Sequence, residues 1–114
     1  MSPEQAAGRP DLIDVRTDVY SLGVTLYEML CRYRPFEGET SQEILKKIVF
    51  IDPVDPQKAN PRVPRDLSTI CLKAMALDRA ARYPSATAFM EDVRAFLQRG
   101  ILDKQQTVLI RGSG

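Results

Sequence analysis

A chain of 114 residues, 44% hydrophobic and 27% charged, is long enough to close one compact core and too apolar for the regime of disorder. Its 16 basic and 15 acidic side chains leave a formal charge of +1, which excludes a global field drawing it to nucleic acid or to an anionic membrane. It contains no histidine, so Cys/His zinc patterns and a histidine base for a serine or cysteine nucleophile are excluded as well.

Cys31 and Cys71 both fall in helix-like stretches and read as buried free thiols of a reducing compartment rather than as a disulfide. The longest apolar region, residues 19–31, is interrupted by Ser21, Thr25 and Glu28. It falls short of the ~20 apolar residues of a membrane span, and no charged start with an apolar stretch behind it marks a secretory leader. The expectation is a cytoplasmic protein.

In chain order, residues 1–16 carry Pro3, Gly8 and Pro10 and predict one helical turn over residues 3–7 followed by a loop. From Asp18 to Leu30 apolar residues cover almost every side, which predicts a centrally buried helix capped by Thr17 or Asp18. A loop at residues 34–38 leads to Thr40-Ser41-Gln42-Glu43, a capping box in which Glu43 would reach back to the cap residue's amide. The helix beginning there has Ile44, Leu45 and Ile48 as its apolar stripe. Pro53, Pro56, Pro61 and Pro64 then predict a stretch without regular structure.

Asp66 is placed to cap a third helix with Leu67, Ile70, Cys71, Ala74 and Leu77 on one face, ending near Asp78. Ser85 is placed to cap a fourth with Ala86, Phe89, Val93, Phe96 and Leu97 buried, and Gly100 to end it in a left-handed conformation before a loose tail. The run from Thr107 to Ile110 is strand-like but has nothing to pair with. The fold class expected is all-α: about four main helices packed irregularly around a buried central one, because long proline-bearing connections do not suit a regular bundle.

Four segments, Met1-Ser2-Pro3-Glu4-Gln5, the run from Thr17 to Val24, Arg34-Pro35-Phe36 and the run from Asp78 to Tyr83, together resemble, in order, the end of a eukaryotic-type serine/threonine protein kinase domain. Ser2-Pro3-Glu4 resembles the Ala-Pro-Glu motif that closes the activation segment, and Met1-Ser2-Pro3-Glu4-Gln5 is similar to bacterial kinases. The run from Thr17 to Val24 resembles the start of the F helix, and Arg34-Pro35-Phe36 the turn that follows it. Asp78-Arg79-Ala80-Ala81-Arg82-Tyr83 resembles the Asp-Pro-x-x-Arg loop between the last two helices, with Arg79 where the family usually has proline, a departure expected to loosen the turn. The resemblance divides the chain into residues 1–98, the C-terminal part of the large lobe, and 99–114, a tail or linker.

The resemblance implies roles for particular residues. Glu4 and Arg82 would form the ion pair tying the end of the activation segment to the helical floor, instead of being two solvated charges. Asp18 would accept hydrogen bonds from the catalytic-loop backbone, or in this chain alone serve as a helix cap. Glu28 would face basic residues of a substrate or be an ordinary rim carboxylate. Ile44, Leu45 and Ile48, on a helix resembling the G helix, would dock substrates and partners or simply face the core.

Phosphoryl transfer needs positioned phosphates, metal ions and a base. This chain has no Gly-x-Gly-x-x-Gly loop, no Val-Ala-x-Lys strand, no Asp-Phe-Gly and no His-Arg-Asp. Arg65-Asp66 is a decoy, with Val63-Pro64 before it and Cys71 where the asparagine would stand. No catalytic, cofactor or metal residue is therefore expected here, and the chain alone should be inactive; ATP and Mg²⁺ would belong to the full-length kinase. Met1 falls inside a run that is internal in the family, so a truncated gene, a split gene or a deliberate cut is expected. The partners implied are the missing N-terminal part of the kinase domain and protein substrates, plus self-association through the apolar surface its loss exposes. The alternative is a non-catalytic, kinase-derived helical interaction module working through residues 41–49.

Overall fold

The computed structural model describes residues 1–12, 14–32 and 34–113, the stretch 100–113 by its backbone alone. Among the described residues the regular elements are all helical: α1 (Pro3–Ala6), α2 (Val15–Cys31), α3 (Ser41–Phe50), α4 (Pro56–Ala59), α5 (Arg65–Ala74) and α6 (Ala86–Ser113). Turns of 3-10 helix cover Pro10–Leu12 and Arg79–Ala81. The all-α class read from the sequence is the class observed.

Local chemistry sets where each helix begins. Ser2 and Gln5 cap α1 reciprocally: the Gln5 amide donates to Ser2 Oγ at 3.2 Å and the Ser2 amide to Gln5 Oε1 at 2.9 Å, with Pro3 pre-set at the first position. The cap of α2 is Asp14, not Thr17 or Asp18. Its carboxylate accepts from the Arg16 amide at 2.9 Å while Thr17 Oγ1 accepts from the Asp14 amide at 3.2 Å, so the helix starts a turn earlier than its apolar run.

Thr40 caps α3, accepting from the Glu43 amide at 3.1 Å. Glu43 itself reaches the Glu39 amide at 3.1 Å, one residue before the expected cap amide. The proline-rich stretch is not free of regular structure, because Asp55 accepts from the Gln57 amide at 2.9 Å and Pro56 opens the turn α4. Pro64, with extended backbone and no side-chain bond, precedes α5 in place of the expected Asp66, which lies in the first turn. That helix ends at Ala74 rather than near Asp78, whose carboxylate instead caps the next 3-10 turn through the Ala80 amide at 3.0 Å.

Two apolar clusters flank α2. Tyr20, Tyr27 and Cys31 join Phe36, Ile48, Cys71 and Met75, while Val19 joins Ile70, Ala74, Tyr83 and Phe89. The helix contributes to both and is the central rod. Gly23 lets it approach α5 closely: a Cβ there would lie 2.8 Å from Ala74 Cβ and from Met75 Cγ. Three bonds hold the proline-rich connection against the same layer. Tyr27 donates to the Val54 carbonyl at 2.9 Å, Asn60 Nδ2 to the Leu30 carbonyl at 3.0 Å, and Ser68 Oγ to the Asp55 carboxylate.

The rod is not buried all round. Val15, Leu22 and Met29 are 58%, 37% and 72% exposed, on one stripe with the exposed polar residues Asp18 and Thr25. On α6, Ser85 accepts from the Ala88 amide at 3.1 Å, and Phe89 is buried with Val93 and Phe96 half-buried. Ala86 and Leu97, read as buried, are exposed. The helix continues through Gly100 to Ser113 and takes in the strand-like run at Thr107. A single interior glycine costs only about 1 kcal/mol, too little to stop a segment flanked by good helix formers such as Leu97, Gln98, Leu102 and Gln105.

Candidate functional site

The densest polar chemistry lies where α1, the first turn of α2 and the loop before α6 meet. Arg82 is 2% exposed and Glu4 is 3% exposed. Arg82 Nη1 donates to Glu4 Oε2 at 2.8 Å and Nη2 to Glu4 Oε1 at 2.9 Å, the parallel fork in which guanidinium and carboxylate match best. The remaining donors are used as well: Nε bonds the Ala76 carbonyl at 2.7 Å, and Nη1 and Nη2 reach the Arg16 and Leu77 carbonyls at 3.2 and 3.4 Å.

Thr17 Oγ1 donates to Glu4 Oε2 at 2.8 Å, so one hydroxyl serves both the α2 cap and the ion pair. The guanidinium also stacks 4.9 Å from the Tyr20 ring centroid. Burial alone would raise the Glu4 carboxyl. The hydrogen bonds from Arg82, the backbone and Thr17, with the Arg82 charge, outweigh it and hold the group at about 2 against an ordinary 4.5. Burial, offset in part by the same Arg82 charge, pushes the Tyr20 phenol up to about 12.

Asp18 follows Thr17 but points elsewhere. It is exposed on the apolar stripe of α2, and among the described residues its carboxylate has no partner and caps nothing. Glu28, Ile44, Leu45 and Ile48 come together. All four line an open, mainly apolar groove of about 370 Å³ between α2, α3 and the Pro35-Phe36 turn, with Val24 and Met1 on its walls. Ile48 is buried at 7% exposure and belongs to the core, whereas Ile44 and Leu45 are half-buried and form the wall. A neighbouring, more polar cleft of about 570 Å³ shares Glu28, Arg34, Phe36 and Ile44 and adds Arg32, Glu37 and Gly38. The site thus has two unlike parts, a buried ionic knot and an open, mainly apolar groove.

Sequence reasoning misses Asp14, Thr17 and Arg79 as members of the knot. Arg79 Nη2 donates to the Asp14 carboxylate, and its Nε lies 3.5 Å from Glu4 Oε2. The Asp-x-x-Thr spacing at 14–17 is a readable cap signal. The pairing of Arg79 with Arg82 is readable only once a 3-10 turn is known there, since three residues per turn put both on one side.

No protein-family model matches the chain. Among curated proteins, the tyrosine-protein kinase MasK of Myxococcus xanthus is 40% identical over 97 residues, 85% of this chain and 15% of that protein. The serine/threonine-protein kinase PknB of Mycobacterium tuberculosis is 39% identical over 93 residues, 82% of this chain and 14% of that protein. The chain therefore spans 14–15% of the length of these curated relatives. Among solved structures, the twitchin kinase region of Caenorhabditis elegans superposes with a TM-score of 0.68 at 28% identity, over 78% of this chain and 15% of that one.

Proposed function

The chain belongs to the eukaryotic-type serine/threonine protein kinase family, as a C-terminal part of the large lobe, and from that membership we propose that it is the scaffold and substrate-docking part of an ATP-dependent protein phosphotransferase. The observation that carries this reading is the buried, bidentate Glu4–Arg82 pair, which joins the motif-like residues at the chain's start to the loop before α6. In this reading residues 1–98 are domain and 99–114, into which α6 continues, a C-terminal tail or linker.

Each feature then has a task. The knot fixes the end of the activation segment to the helical floor. Asp18, exposed and unpartnered at the start of α2, accepts backbone N–H groups of a catalytic loop supplied by the rest of the kinase domain. The stripe of Val15, Leu22 and Met29 packs beneath that part, and in its absence drives self-association. The groove takes protein substrates, with apolar side chains against Ile44 and Leu45 over the Ile48 floor and a basic side chain near Glu28.

ATP and Mg²⁺ do not fit this chain. Among the described residues no three His, Cys, Asp or Glu side chains gather to hold a metal ion, and the sequence offers no glycine-rich phosphate cradle. Both belong in this reading to the remainder of the enzyme, which would transfer the γ-phosphoryl group to a serine or threonine hydroxyl. Among the described residues no helix is long and apolar enough to cross a membrane. Two free, buried cysteines support a reducing, cytoplasmic setting. The apolar groove also favours a second reading, a non-catalytic helical module that binds partner proteins through α3.

A graft separates the two. Residues 1–98 replace the matching segment of Mycobacterium tuberculosis PknB, and phosphorylation of a protein substrate is measured beside Asp18→Ala and Arg82→Ala versions. The kinase reading expects an active graft that either substitution cripples. A folded but inactive graft sinks it and leaves the binding module, and a saturable ATP-dependent rise in the melting temperature of the isolated chain would contradict the assignment of ATP to the remainder.

A further inference from the structure

Arg79 reaches two carboxylates on different elements. Its Nη2 donates to Asp14 and its Nε lies 3.5 Å from Glu4 Oε2, at ion-pair distance but without a hydrogen bond. Glu4 does not need it, being already held by both Arg82 nitrogens and by Thr17. The specific partner is Asp14. That residue caps α2, and its carbonyl accepts the Thr17 and Asp18 amides at 3.0 and 3.4 Å.

Arg79 is also the first residue of a 3-10 turn, a position where proline would be pre-organised and arginine leaves the backbone looser. The turn nevertheless closes, through the Ala80 amide on Asp78 Oδ1 and the Ala81 amide on the Asp78 carbonyl, both at 3.0 Å. What the arginine contributes is therefore its side chain, 26% exposed and stretched from the turn to the N-terminus of α2. Arg82, on the same side of the turn, grips α1 through Glu4 and reaches the Arg16 carbonyl of α2 at 3.2 Å, and Arg79 adds a second hold on α2, at its cap.

We propose that Arg79 is a positioning residue: by tethering Asp14 it fixes the first turn of α2 to the loop that carries Arg82, and so sets the direction in which Asp18 leaves the helix. The task given to Asp18 rests on the kinase reading above, whereas the tether does not.

Amide hydrogen exchange of the 114-residue chain tests it. Arg79→Pro keeps the turn and removes the tether, and Asp14→Asn keeps the cap acceptor and removes its charge. Each is expected to quicken exchange at the Thr17 and Asp18 amides roughly fivefold, the scale of one partly exposed ion pair, while mid-α2 and α5 amides are unchanged. The double variant is expected to go no further than either single one, and Arg79→Lys to recover part of the protection, because an ammonium is a point charge without the fork. Unchanged exchange at Thr17 and Asp18, uniform quickening over all helices, or simple addition in the double variant would each overturn the tether. None of these readouts needs kinase activity, so a failed graft would remove the kinase reading and leave the tether standing.

Discussion

Replacing Glu4 by glutamine keeps the shape of the knot and removes its negative charge, leaving the guanidinium of Arg82 buried opposite a neutral amide. The carboxyl held at about 2 instead of 4.5 corresponds by linkage to about 3 kcal/mol of folding stability. Breaking one side of a buried pair typically costs ~3–5 kcal/mol, so two independent routes meet at the same size. For a chain of this length that is a fall in Tm of about 10–15 °C. The sign follows from the depressed folded-state value. The stabilisation is complete above the unfolded value of 4.5 and drains away as pH falls from there to about 2, where wild-type Glu4 is half protonated, becoming as neutral as glutamine only below that. Urea unfolding followed by circular dichroism at several pH values is therefore expected to show a gap of about 3 kcal/mol between wild type and Glu4→Gln near neutrality, closing on acidification. A gap under about 1 kcal/mol, the scale of a surface pair, or one independent of pH, would refute the reasoning.

Gly23→Ala should destabilise by about 1–3 kcal/mol in the same assay, because the new methyl meets Ala74 and Met75 at 2.8 Å and a packed helix pair cannot give way cheaply. Arg32 ends α2 at a φ of 63°, so Arg32→Gly should raise stability by about 0.5–1 kcal/mol by relieving the left-handed residue. Asp55→Ala removes the α4 cap and the acceptor of Ser68 together, and a loss of about 1–2 kcal/mol is expected in urea unfolding. Burial pushes the Cys71 thiol up to about 12, so alkylation by iodoacetamide at pH 8 should be slow in the folded chain and rapid in denaturant; equal rates in both would show that the thiol is not enclosed.

Periodicity makes helix existence legible and helix ends much less so. Ile44, Leu45 and Ile48 announce α3, and the dense apolar run from Val19 to Leu30 announces the rod. Its exposed face is hidden in that run because Leu22 and Met29 look like core residues until the surrounding elements are placed, and only Asp18 and Thr25 on the same stripe hint otherwise. Caps are misread where several candidates lie close together. Asp14 wins over Thr17 because the two cap reciprocally, and Pro64 wins over Asp66 because its fixed φ already sets the start of α5. The Glu4–Arg82 contact spans 78 residues and no local pattern encodes it; only resemblance to a family connects the two positions. Arg79 illustrates the remaining gap, since its side chain reaches partners that lie far away along the chain.

The way Arg82 is held has a consequence for how the molecule comes apart. One side chain gathers the loop at Ala76 and Leu77, the opening of the rod at Arg16 and the acid on α1 into a single clasp. A protease cut at the exposed Lys58, in the connection between α3 and α5, would sever the backbone without opening that clasp or prising α2 from α5 at Gly23. The two pieces, one ending within the proline-rich stretch and the other carrying α5 and α6, should migrate together until the acid is protonated, so the polypeptide behaves as two interlocked halves rather than one thread.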